Sequence, residues 1–195
     1  MKNLLKAFKL TLAFCVLFSM LYIFVLWVFA KIAGPNGGNA EVVVMDGKVV
    51  GAANVGQAFT KDVYFWGRPS CAGDGYDASS SAGSNKGATH PEYLQEVESR
   101  IDTFLVKHPY LQRSDIPAEM VTASGSGLDP EISKAGAYVQ IKRVAQARGM
   151  SEEKVKEVVD QYVKGPLFGL FGPASRVNVL KLNVALDEIQ KENQK

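Results

Sequence analysis

The residues able to do chemistry are few and scattered. Ser126 stands between two glycines in the run Thr122-Ala123-Ser124-Gly125-Ser126-Gly127-Leu128-Asp129-Pro130. That setting suggests a nucleophile, but the strand-to-helix nucleophile turn is Gly-x-Ser-x-Gly, and position 124 is Ser. A serine nucleophile also needs a histidine beside it. The chain has only His90 and His108, each next to a proline at a predicted helix end, where a cap or surface role is the ordinary one. The run reads first as a tight connection, its glycines supplying positive φ and its hydroxyls satisfying backbone donors. An anion cradle of successive backbone N–H groups comes second, and a nucleophile third. Gln140 and Arg143, three apart on a predicted helix, share a face. An amide beside a guanidinium would grip a nucleotide or a carboxylate; spacing alone favours a solvated edge beside an apolar stripe. Arg68 follows Tyr64-Phe65-Trp66, which fits a packed cation–π corner or a docking patch.

What is missing narrows the chemistry further. No glycine-rich turn is followed by Lys-Ser or Lys-Thr, so there is no Walker phosphate loop. There is no aspartyl-phosphate signature and no His-Glu-x-x-His. Two isolated histidines and two cysteines argue against a metal site and a disulfide framework. Of 195 residues, 47% are hydrophobic, as in a folded protein. With 22 basic and 20 acidic side chains there is no basic excess of the kind a nucleic-acid binder shows.

The charge is unevenly placed. Residues 1–31 hold four lysines and no acid, leaving 18 basic against 20 acidic side chains beyond them. Leu10 to Ala30 is 21 residues without a charge, bounded by Lys9 and Lys31. As a helix it is roughly 32 Å long, against a hydrocarbon core of about 30 Å. A cleaved signal peptide would have a shorter apolar region; Val28-Phe29-Ala30 is a weak cleavage site with Lys31 directly after it. Phe14 before Cys15 disfavours a lipoprotein signal. The expectation is an uncleaved anchor over 10–32, a cytoplasmic N-terminus over 1–9 and a linker over 33–40. Lys2, Lys6 and Lys9 precede the helix and only Lys31 follows closely, so the positive-inside rule places residues 41–195 outside the cell membrane.

Those residues read as one α+β domain. Short β-branched runs around Asp46-Gly47 predict a hairpin. Residues 67–90 form a long polar loop. Pro91 opens a helix with Leu94, Val97, Ile101 and Phe104 or Leu105 on its inner face. Ser133 caps a second helix running to Arg148 with Tyr138, Ile141, Val144 and Ala145 inward, and Ser151 caps a third with Val155, Val158, Val159 and Tyr162 inward. Arg176 to Leu182 alternates as a strand, and Asn183 caps a last helix.

A family resemblance rests on an ordered set of motifs: Gly56-Gln57-x-Phe59, Tyr64-Phe65-x-x-Arg68-Pro69-Ser70, Ser81-x-Gly83-Ser84-Asn85, the 121–130 run, Gln140-x-x-Arg143-Val144-Ala145-x-Ala147-Arg148-Gly149 and Arg176-Val177-Asn178-Val179-Leu180-x-Leu182-Asn183. Together they resemble the C subunit of the bacterial Kdp potassium-transporting ATPase, the KdpC family, over nearly the whole chain. Glu131 departs from the family, which often has His there, and Cys71 stands where Ala is common. The resemblance implies a non-catalytic subunit of an inner-membrane complex, with no cofactor of its own. Its partners would be a channel-like potassium-translocating subunit, an ATP-hydrolysing P-type subunit and the lipid bilayer. It also implies a catalytic chaperone raising the ATP affinity of the pump subunit, with nucleotide contact attributed to Gln140 and Arg143. ATP is cytoplasmic, however, and lysine counting puts both residues outside. Signature and partner-contact candidates are Arg68, Pro69, Ser70, Ser84, Asn85, Ser124, Gly125, Ser126, Gly127, Asp129, Arg176 and Asn178. The reading from another class is a membrane-anchored serine hydrolase using Ser126.

Overall fold

The computed structural model describes residues 2–193. The chain divides into two units, the first ending at Glu41 and the second beginning at Val42. The first is a continuous helix, Lys2–Ala33, long and apolar enough to cross a membrane and with no buried residue. Its middle, Leu17–Tyr22, widens into a π-type turn. Gly34 ends it in extended backbone, and Pro35–Gly38 forms a short 3-10 turn.

The second unit combines helices with two small sheets. Strands β1 (Val42–Met45) and β2 (Lys48–Ala52) pair antiparallel with a bulge between Val43 and Val44. Asp46 and Gly47 both take positive φ, as the predicted two-residue turn requires. The other sheet is antiparallel in the order β3 (Glu131–Ile132), β5 (Arg176–Asn178), β4 (Val163–Lys164). Val177 sits at its centre, opposite both Ile132 and Val163. The α-helices described in this unit are Pro91–Lys107, Lys134–Tyr138, Ile141–Arg148, Glu152–Tyr162 and Val179–Glu192, of which the second, fourth and fifth pack on this sheet. The core joins Phe104, Ile132, Ile141, Val144, Val155, Val158, Val159, Val177, Leu182 and Leu186 around Phe65.

Four sequence expectations are corrected. The expected 133–148 helix is broken at Val139–Gln140, because the Gln140 side chain takes the carbonyl that its own backbone would have used. Nε2 donates to the Gly136 oxygen at 2.9 Å, and the Gln140 backbone N–H turns to Ala137 instead. The expected 176–182 strand stops at Asn178, whose Oδ1 accepts the Lys181 N–H and caps a helix beginning at Val179. Asn183 is therefore a buried interior residue of that helix, not its cap. Leu94, placed on the inner face of the Pro91 helix, is exposed; the helix meets the core only from Ile101 and Phe104 onward.

Candidate functional site

Two of the polar residues singled out in the sequence, Gln140 and Arg143, meet at one segment, residues 62–66, which begins as a turn and runs on without regular structure. It pairs with no strand, so its backbone groups need other partners once buried. Side chains from two helices, Ile141–Arg148 and Val179–Glu192, and from Gln140 at the start of the first supply them. The guanidinium of Arg143 donates to the carbonyls of Asp62 (2.5 Å) and Tyr64 (3.0 Å), and Arg148 Nε donates to that of Val63 (2.6 Å). The Asn183 amide accepts from the Phe65 N–H at 2.8 Å and donates to the Phe65 carbonyl at 3.0 Å. Gln140 treats Trp66 the same way, at 2.8 and 3.2 Å. Each amide thus stands in for a peptide group of a missing neighbouring strand.

Gln140 and Arg143 do share a face, as their spacing predicts, but it is not a solvated edge. Gln140 is fully buried and Arg143 nearly so. Arg143 Nη2 donates to Gln140 Oε1 at 2.7 Å, and Nε donates to His108 Nε2 at 2.9 Å. The guanidinium lies 4.1 Å from the centre of the Trp66 ring, so the cation–π partner of that ring is Arg143, reached from another helix. Burial draws the Arg143 guanidinium down to about 10, still charged at neutral pH.

His108 caps the C-terminus of the Pro91–Lys107 helix, one half of the expectation, but it lies in the core and not at the surface. Its ring is fully buried and stacks on Phe104 at 4.0 Å between centroids. Because Nε2 accepts from Arg143, the ring proton sits on Nδ1 and is donated to the Phe104 carbonyl, 2.7 Å away. Burial pushes its pKa down to about 4.

The signature loops form a second cluster. Arg68 pairs with Asp129 at 3.1 Å and reaches the Ala123 carbonyl. Ser70 Oγ donates to the Gly127 carbonyl at 2.6 Å and accepts from the N–H groups of Ala72 and Tyr76. The Ser124 N–H donates to the Pro69 carbonyl, Ser81 Oγ to the Ser126 carbonyl, and Tyr76 Oη to the Arg68 carbonyl. Gly127 has φ 68°, and a Cβ there would fall 2.6 Å from the Ala72 nitrogen and 2.7 Å from the Ala82 oxygen. The stretch knits the 67–85 loop to the strand that follows it, which favours the tight-connection reading. Ser126 Oγ accepts from the Leu128 N–H two residues on, as a local turn does. Ser84 is half-buried and Asn85 exposed with φ 53°.

Arg176 and Asn178 work in the sheet. Arg176 Nε donates to Glu131 across β3 and β5 at 3.0 Å, so the unusual glutamate is paired. Asn178 Nδ2 donates to the Ala53 carbonyl, tying the hairpin's end to the last helix.

An open cleft of about 500 Å³ lies beside these clusters, lined by Phe59, Trp66, Arg68, Tyr76, Arg100 and Phe104 among others. Its cations already have partners: Arg68 has Asp129, Arg100 has Glu96, and Lys107 has Asp62. Burial pushes the Tyr76 phenol up to about 12, with Asp129 adding to the shift. Among the described residues, no group of three or more His, Cys, Asp or Glu converges as a metal site.

Comparison with known proteins decides the family. A family model described as "K+-transporting ATPase, c chain" matches residues 4–188. The chain belongs to the KdpC family. A Bacteroides thetaiotaomicron protein named potassium-transporting ATPase KdpC subunit is 72% identical over 188 residues, covering 96% of this chain and 99% of the relative. KdpC subunits from Flavobacterium psychrophilum and from Caldanaerobacter subterraneus subsp. tengcongensis are 50% and 46% identical, each over 97% of this chain. The chain is thus similar end to end to subunits of a potassium-transporting ATPase.

Within this KdpC fold, Arg148 and Asn183 hold segment 62–66 and His108 supports Arg143; the first two stand in the family motifs, but none of the three is picked out as a site residue by the sequence. Arg148 is 1% exposed at its side chain and also pairs with Asp187 at 2.8 Å. Asn183 had a readable signal. It falls on the apolar stripe of Val179 and Leu186, where a polar residue needs a buried partner. His108 had none, because the donor that holds it lies 35 residues away in sequence.

Proposed function

We propose that this KdpC-family chain is a non-catalytic subunit that anchors a rigid α+β domain at the outer face of the inner membrane, against the potassium-translocating subunit of the complex. The observation that supports a non-catalytic role is the internal use of the most chemically capable side chains. Gln140, Arg143, His108 and Arg148 spend their hydrogen bonds on residues 62–66 and on one another. Ser126 is engaged in a turn and His108 in a different cluster, so the hydrolase alternative is not favoured.

Under this reading, any rise in ATP affinity acts through contact with the ATP-hydrolysing subunit, and Gln140 and Arg143 act by shaping the domain. The lysine asymmetry of the helix flanks supports the outer placement. The test is labelling with a membrane-impermeant maleimide, at Cys71 and at an exposed Asn54→Cys, in intact spheroplasts and in inverted vesicles. Labelling in spheroplasts alone supports the proposal. Labelling in inverted vesicles alone puts the domain in the cytoplasm and restores direct nucleotide contact.

A further inference from the structure

The connection between β4 and β5 carries the largest apolar exposure in the second unit. Leu167, Phe168, Leu170 and Phe171 are all exposed, Phe168 at 84% and Leu170 at 80%. Residues 165–175 contain no charge, and the basic side chains of Lys164 and Arg176 flank them. Scattered single apolar residues on a surface need no explanation, but four on one hairpin tip form a patch that does.

The backbone of the tip is closed on itself. The Leu167 N–H donates to the Phe171 carbonyl at 2.7 Å, and the Phe171 N–H returns to the Leu167 carbonyl at 3.0 Å. The Gly169 N–H donates to Pro166 and the Leu170 N–H to Leu167. Phe168 takes φ 54° to make this turn, a conformation that a bulky side chain rarely adopts. The strain turns a phenyl ring outward where a hydrogen-bonded polar residue would be the easier choice. Four of the tip's N–H groups are thus paired within it, which lowers the cost of taking its backbone to the hydrocarbon boundary with its apolar side chains outermost.

We propose that the Leu167–Phe171 tip inserts into the outer boundary of the lipid bilayer, as a second membrane contact of the chain. The inference rests on the reading that Lys2–Ala33 spans that bilayer. Only residues 34–41 separate the helix from β1, and eight residues reach at most about 29 Å. The second unit is therefore tethered near a lipid surface, where an uncharged Leu/Phe tip beside Lys164 gains by burying its side chains at the headgroup boundary.

The test uses the full chain in phospholipid vesicles, with Cys15→Ala and Cys71→Ala and an environment-sensitive fluorophore on Leu170→Cys. Acyl-chain-brominated lipid is expected to quench the tip label by about half, as for a shallow hydrocarbon contact. A label on Asn54→Cys is expected to stay unquenched. Trp27 reports the anchor separately, above the constant signal of Trp66. If Trp27 is not quenched, the spanning helix fails and the proposal falls with it. If Trp27 is quenched and the tip label remains open to aqueous iodide, the tip proposal alone is wrong. Repeating the measurement in the assembled potassium-transporting complex tests the competing occupant. Loss of bromolipid quenching there, with iodide protection, assigns the tip to a protein pocket and overturns the lipid contact.

Discussion

Arg143 donates through Nε to Nε2 of His108 at 2.9 Å, a contact that only a neutral imidazole can accept. Protonating His108 would set a second cation against the buried guanidinium. Asp62 is the acidic group nearby that works in the opposite direction. The folded-state pKa of about 4 lies below the ordinary histidine value of 6.5, so the unfolded chain binds the proton first. Stability from this group is complete above pH 6.5 and is lost as pH falls towards 4. The slope it contributes in that window is at most about 1.4 kcal/mol per pH unit. Denaturant melts of the detergent-solubilised chain between pH 7 and 4 should show it, and His108→Gln should remove that component.

Arg143 bridges two carbonyls, an amide and an imidazole in four directions. Arg143→Ala is expected to destabilise the domain by roughly 3–5 kcal/mol, since each orphaned buried acceptor costs about 1–3 kcal/mol. Arg143→Lys should be nearly as harmful, because a single ammonium cannot reproduce the planar fork. The check is the unfolding midpoint of both variants beside the ATP dependence of the assembled complex. A raised ATP requirement with unchanged stability and assembly would overturn the structural role.

Gln140 and Asn183 hold adjacent peptide groups, at Trp66 and Phe65. Gln140→Ala and Asn183→Ala should each cost about 1–3 kcal/mol. Because both act on one segment, the double variant should depart from additivity by about 0.5–3 kcal/mol. A double-mutant cycle by chemical denaturation measures the coupling; strict additivity would mean that the two residues of the segment release independently.

Gly125 and Gly127 flank Ser126 but differ in what they tolerate. Gly127→Ala meets Ala72 and Ala82 backbone atoms at a positive φ, whereas a Cβ at Gly125 meets nothing within 4 Å. Gly127→Ala should lower stability by more than about 1 kcal/mol, and Gly125→Ala should be neutral or slightly stabilising. Thermal melts of the two variants side by side decide this.

Local chemistry in the sequence determined a good deal of this protein. An uncharged run bounded by lysines gave the long apolar helix. Asp46-Gly47 gave the hairpin turn, Ser133 and Ser151 the helix starts, and the Val155–Val158–Val159 spacing the inward face of the Glu152 helix. Each of these is decided by neighbours within a few residues. Tertiary structure decided the rest. Where the 176–182 run changes from strand to helix combines a local cap, Asn178 on Lys181, with a distant one, the Asn178 amide tying down Ala53 125 positions away. Whether Gln140 and Arg143 faced solvent or the core turned on residues 62–66, which lie 74 to 81 positions away and have no strand partner. A buried backbone without a sheet must find donors and acceptors wherever the fold brings them, and spacing along one helix carries no record of that demand.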